Sequence, residues 1–117
     1  MMLTIDLIAE IAHEANAAYC RSIGDITQPH WLGAPDWQQE SAMDGVTSIL
    51  DGSVTSPEQS HENWMALKLI DGWKFGATKD TTLKTHPNLL PYSELSPEQR
   101  TKDEIFFRIV RALTNIE

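Results

Sequence analysis

The sequence predicts a mainly α-helical fold of about four helices with a short β element, and three observations predict it. Apolar residues recur at helical spacing in four separate segments. The tetrad SPEQ occurs twice, at 56–59 and 96–99, each time with the layout of a helix start. GWKFG at 72–76 alternates aromatic residue and lysine in the manner of a strand. With 117 residues and 13.2 kDa the chain predicts one domain over 1–117, large enough to bury a core without disulfides or metals.

The first helix is expected over residues 4–20, TIDLIAEIAHEANAAYC, with Thr4 as N-cap. Ile8, Ile11, Ala12, Ala15, Ala18 and Tyr19 form its apolar face, while Glu10, Glu14 and Arg21 turn to water. His13 falls between the two faces, as an exposed or hydrogen-bonded imidazole. Cys20 is the single cysteine and reads as a buried thiol rather than a nucleophile. Residues 23–37 hold two glycines and two prolines without a period, so they read as a long loop. Trp31 and Trp37 are expected to pin that loop by packing, with ligand contact the alternative role for each.

The second helix starts near Asp36, with Gln39 placed for a capping box. Ala42, Met43, Val46, Ile49 and Leu50 make its buried stripe, and Gly52 fits the closing position. In each SPEQ tetrad serine caps, proline takes the first helical position and glutamine reaches back. The third helix is expected from Pro57 to Ile70 with Gly72 ending it. The fourth begins at Pro97 and carries Ile105, Phe106, Ile109, Val110 and Leu113 on its apolar face. Between them, Trp73 and Phe75 are expected to point inward and Lys74 outward. KTHPNLLPYSEL is extended, because each proline disfavours helix before it.

The formal charge of −8 is uneven: residues 1–63 carry ten acids against Arg21, whereas residues 64–117 carry eight bases against seven acids. The acidic half disfavours duplex nucleic acid, which is recognised through clustered Lys and Arg, and leaves room for a small phosphorylated ligand in the C-terminal half. No apolar run reaches membrane-spanning length and the first residues do not read as a secretory signal, so a cytoplasmic protein is expected.

Catalytic and metal motifs fail one by one. HENWM begins like the zinc-protease helix, but Met65 stands where the second histidine belongs. His13, His30, His61 and His86 lack metal spacing, so no metal and no cofactor are expected. Gly72 and Gly76 lack the rest of a phosphate loop, and no serine sits in a nucleophile elbow. Glu58, Glu62 and Asp71 read as a solvated face, and no enzyme is expected.

HENWMALKLIDGWKFG, residues 61–76, remains. It holds two of the four tryptophans. On a helix His61, Trp64 and Lys68 share one face, while Leu67 and Ile70 lie aside as inward-packing candidates. An aromatic plane beside a cation and an imidazole suits a heteroaromatic base carrying phosphate. Trp64 as an ordinary core residue with its N–H satisfied is the alternative reading of the same residues.

The order APDWQQESA, HENW, DGWKFG and KTHPNLLPYSEL resembles the ryanodine-receptor repeat, or RyR, domain, from about Ile8 to Leu113. Its most specific part is the ordered set His61, Trp64, Gly72, Trp73, Gly76, His86, Pro87, Pro91 and Tyr92. The chain is similar to single-repeat proteins of bacteria and their phages. The resemblance implies a mostly helical fold without catalysis, and an adenine nucleotide stacked on the tryptophan of H-x-x-W, here Trp64. His61 and Lys68 follow as neighbours on its face, Trp73 and Tyr92 as neighbouring motif positions. It also implies sensing or sequestration of a nucleotide-derived signal, cyclic nucleotides included, in host–phage conflict within the bacterial cytoplasm. The channel's repeats act in pairs, so one repeat alone leads to the expectation of a two-fold homodimer. A protein–protein scaffolding domain using the acidic half is the rival expectation, and a hydrolase with two close carboxylates a third.

Overall fold

A computed structural model describes residues 3–114. Helix α1 spans Ile5–Ser22, α2 Asp36–Leu50, α3 Pro57–Ile70 and α4 Pro97–Thr114; strands β1, Lys74–Phe75, and β2, Thr85–His86, lie between the last two helices. Helix α1 packs on α4 and α2, and α4 in turn packs on α3 and α2. The core between them joins Ile8, Ala9, Ala12, Trp31, Val46, Ile49, Val54, Phe107 and Val110. No described helix is long and apolar enough to cross a membrane.

Helix α1 begins as expected, with the Thr4 hydroxyl accepting from the Leu7 N–H at 3.4 Å. Its buried stripe is rotated from the expected one. Ile8 and Ala12 are buried together with Ala9, Ala17 and Cys20, whereas Ile11 and Ala18 face water. Three alanines on this stripe leave room for α4 to approach closely, and that contact selects the face over the raw hydropathy of Ile11. The loop after α1 includes a short 3-10 turn over Trp31–Gly33. Trp31 is buried and pinned from two sides. Glu14 accepts its N–H at 2.7 Å, and Gln39 Nε2 donates to its carbonyl at 2.7 Å. Glu14, expected in water, is thereby a loop anchor.

Gln39 therefore makes no capping box. Pro35 occupies the N-cap of α2 and no side chain caps it. Val46 and Ile49 are buried, Ala42 and Met43 partly so, but Leu50 is exposed. Gly52 adopts φ +85° just beyond the helix, as expected of a closing glycine. Gly45 matters for a different reason: a Cβ there would meet Phe106 Cζ at 3.0 Å, so its absence lets α4 lie against α2.

Both SPEQ tetrads start helices. Ser56 Oγ accepts from the Gln59 N–H at 3.1 Å and Ser96 Oγ from the Gln99 N–H at 3.2 Å. The glutamine side chains diverge. Gln59 Oε1 accepts from the Thr55 N–H at 2.8 Å, one residue upstream of the cap, whereas Gln99 Oε1 accepts from Asn88 Nδ2 at 2.7 Å. On α4, Phe107 and Val110 are buried; Phe107 was not among the expected face, and Phe106, Ile109 and Leu113 flank it.

The two strands pair in parallel, Lys74 with Thr85 and Phe75 with His86. Trp73 is buried, but Phe75 is 55% exposed, against the expectation that it points inward. Trp73 lies just before β1, and both residues of that two-residue strand are exposed, so the strand alternation that would have placed Phe75 beside Trp73 is not kept. Ile70 is likewise 83% exposed and Leu67 43%, so neither packs inward.

Candidate functional site

A half-open cavity of about 280 Å³ lies where α1, α2, α3, α4 and the strand pair converge. Four of the five expected site residues line it: His61, Trp64, Lys68 and Trp73. Tyr92 stands behind His61, ring centroids 6.1 Å apart, and outside the lining. The sequence reading gave no site role to His86, Asp103, Lys79 and Lys102, and set packing ahead of ligand contact for Trp37; all five are in the wall. Trp37 is 38% exposed rather than packed away as a loop pin.

The rings form a connected series around the hollow. Trp37 and Trp73 have centroids 5.9 Å apart, Trp73 and His86 6.4 Å, His86 and Trp64 5.1 Å, and Trp64 and His61 5.6 Å. The Trp64–His86 contact is edge-on at 76°, a geometry that favours the ring quadrupoles. Lys68 Nζ sits 4.7 Å from the Trp37 centroid and 5.2 Å from that of Trp73, and Lys79 Nζ lies 5.6 Å from Trp37.

Hydrogen bonds fix both imidazoles. His61 is buried, and its Nε2 lies 2.7 Å from the Leu90 carbonyl. A carbonyl only accepts, so Nε2 carries the hydrogen and the Nδ1 edge faces Asp103 Oδ2 at 3.7 Å. Burial pushes Asp103 up to about 7, with Lys102 partly opposing. In His86 the assignment reverses. Its Nδ1 accepts from the Asn88 N–H at 3.0 Å, so the hydrogen sits on Nε2. Burial, and then Lys79, Lys68 and Lys102, push His86 down to about 4, which keeps it a neutral donor at pH 7.

Lys68, Lys79 and Lys102 all line this cavity. Among the described residues none of the three has a carboxylate within 4.0 Å. Burial, and in second place for Lys79 the neighbouring Lys102, lower the ammonium groups of Lys68 and Lys79. Among the described residues the one carboxyl side chain in the wall is that of Asp103, and the buried Cys20 lines the same cavity. Among the described residues no group of three or more His, Cys, Asp or Glu is placed to hold a metal ion.

Nothing local marks the α1 residues or sets the ligand-contact reading of Trp37 above packing. Their role arises from packing across tens of residues of chain. His86 did carry a signal, as a member of the ordered motif set, without a role attached.

The fold and cavity define a small, mainly helical domain organised around an aromatic hollow with three lysines in its wall. A family model for the RyR domain matches residues 53–116, the stretch that contains α3, both strands and α4. The chain belongs to the RyR domain family. Helices α1 and α2, which supply Trp37 and part of the cavity wall, lie outside the matched residues.

Proposed function

We propose that this domain is a non-enzymatic binding module for an adenine-containing nucleotide or a nucleotide-derived signal, held in the cavity beside Trp64. One observation carries this reading. Three lysines that have no carboxylate within 4.0 Å among the described residues line the same hollow as a series of aromatic rings, in a chain whose net charge is −8. Mutually repelling cations gathered in an acidic protein favour an anionic guest. Tryptophan faces favour a planar one, at about 1–3 kcal/mol per stacked base.

The size agrees. At about 280 Å³ the hollow falls near the lower bound of about 300 Å³ for small-molecule pockets, enough for a base and sugar with phosphates at the open rim. The homodimer was expected because a lone repeat would leave Trp64 half bare. Here α1 and Trp37 of the same chain furnish the other wall, so the proposal is one site per chain, with or without pairing. Light scattering at micromolar concentration reads the state. Sensing or sequestration during host–phage conflict in a bacterial cytoplasm is the biological role this reading suits.

Calorimetry against ATP, ADP-ribose and cyclic nucleotides tests the proposal. Trp64→Ala is expected to weaken binding by about 1–3 kcal/mol while helical content holds. Unchanged affinity in that variant removes Trp64 from the site. The rival, a scaffolding domain, draws support from the exposed apolar side chains of Leu69, Ile70, Phe75 and Leu83 outside the cavity lining. A thermal-shift panel separates the two, since a nucleotide that binds only the native state must raise its melting temperature. A two-carboxylate hydrolase finds one carboxylate, Asp103, in the wall.

A further inference from the structure

Asp103 shares the cavity wall with Lys68, Lys79 and Lys102. A carboxylate there works against the anionic guest that the lysines favour. Its surroundings decide whether that charge is present. Asp103 Oδ2 lies 3.7 Å from His61 Nδ1, and among the described residues no lysine or arginine nitrogen comes within 4.0 Å of the carboxyl. His61 is buried and commits its Nε2 hydrogen to the Leu90 carbonyl, so the imidazole turns a lone pair toward Asp103. An ionised carboxylate sets acceptor against acceptor at that edge. The protonated acid does not, and burial favours it.

The other titratable groups around Asp103 come from several elements. Helix α1 brings His13, tied to the Pro29 carbonyl, and the buried Cys20; its Asn16 donates to the Lys102 carbonyl at 3.2 Å. Those residues of α2 that line the wall carry no ionisable side chain. Helix α3 adds Lys68, and the stretch between α3 and α4 adds Lys79 and the neutral His86. Behind His61, burial and then the charges of Asp103 and Glu104 push the Tyr92 hydroxyl up, with Arg100 opposing and Glu58 assisting. Asp103 itself keeps 22% of its side chain exposed, so its proton can exchange with solvent.

We propose that Asp103, held against the His61 lone pair, sets the charge selectivity of the cavity. As the neutral acid it leaves the three lysines free to hold an anionic nucleotide. As the carboxylate it turns the same anion away. Binding and protonation are then linked, and an anion that enters draws the proton onto Asp103. This rests on the reading of the cavity as a nucleotide site and adds what controls its preference for anions.

ADP-ribose is the probe, because its two phosphates keep their charge between about pH 6 and about pH 8.5, whereas the terminal phosphate of ATP titrates near that range. Calorimetry should show its affinity falling roughly tenfold across the range, the size of one charge acting through a half-open site. In Asp103→Asn the fall should shrink to about twofold, the remainder coming from Lys68 and Lys79. Carbon NMR of the labelled wild-type carboxyl decides the matter even if the variant folds poorly. The Asp103 midpoint should stand well above the ordinary value of about 4 and should rise by about one pH unit when ADP-ribose saturates the protein. An ordinary midpoint, a midpoint unmoved by ligand, or an undiminished fall in Asp103→Asn overturns the role of Asp103 and leaves the nucleotide site standing. No ADP-ribose binding at pH 6 also overturns it, and ATP and cyclic nucleotides then decide the nucleotide reading separately.

Discussion

Asp103 and His86 respond to pH in opposite senses, and the opposition can be measured. Burial raises Asp103 from 3.8 to about 7 and lowers His86 from 6.5 to about 4. The folded state therefore holds the Asp103 proton more tightly than the unfolded chain does, and the His86 proton less tightly. Stability from Asp103 is fully present below pH 3.8 and is lost as pH rises through about 7. Stability from His86 is fully present above pH 6.5 and is lost as pH falls through about 4.

At about 1.4 kcal/mol per pH unit for each proton of difference, the two contributions are at most ~4 and ~3 kcal/mol. Asp103 remains 22% exposed at its side chain. Solvent and Lys102 screen it, so about 1–3 kcal/mol is the expected size.

In the native protein the two slopes oppose each other across the shared range. Asp103→Asn keeps the shape and removes one slope. Its stability relative to wild type is expected to climb by about 1–3 kcal/mol between about pH 4.5 and about pH 8. His86→Asn can retain an acceptor for the Asn88 N–H, and its relative stability is expected to climb as pH falls over the acid half of that range. Urea unfolding at constant ionic strength measures both, and all other titrating groups cancel in the difference. A difference between Asp103→Asn and wild type that stays flat with pH would refute the buried, uncompensated carboxyl.

Gly76→Ala sets a Cβ 2.6 Å from Thr85 Cβ and should cost about 1–3 kcal/mol in urea unfolding. Adding Thr85→Gly should make the pair less harmful than the sum of the two changes. Ser56→Ala and Ser96→Ala should each cost about 1 kcal/mol by loss of the N-cap, while the glycine variants cost only a few tenths. Ile70→Asp, at an 83% exposed position, should move stability by no more than about 0.5 kcal/mol in the isolated protein. A larger fall there would mean that Ile70 packs in solution.

Helix starts and ends were legible because their causes are local. Thr4, Ser56 and Ser96 bond to backbone N–H groups three residues on, and Gly52 and Gly72 take φ of +85° and +88° where a side chain would be strained. Helix faces were less so. Ile11 and Ala17 are separated by more than a turn and a half, and only the closeness of α4 decided which of them is buried. The capping box expected of Gln39 lost to a distant carbonyl, that of Trp31.

His61, Trp64 and Lys68 share a helical face by spacing alone, so their convergence on one hollow follows from the chain's order once α3 forms. Amino-acid order also determined four helices, the strand-like GWKFG and the charge asymmetry, since each depends on neighbours within a few residues. Trp37, Asp103, Asn16 and Lys79 came to that hollow only through packing. Their place depends on where whole helices lie, and that is set by the volume and fit of side chains far apart in the chain.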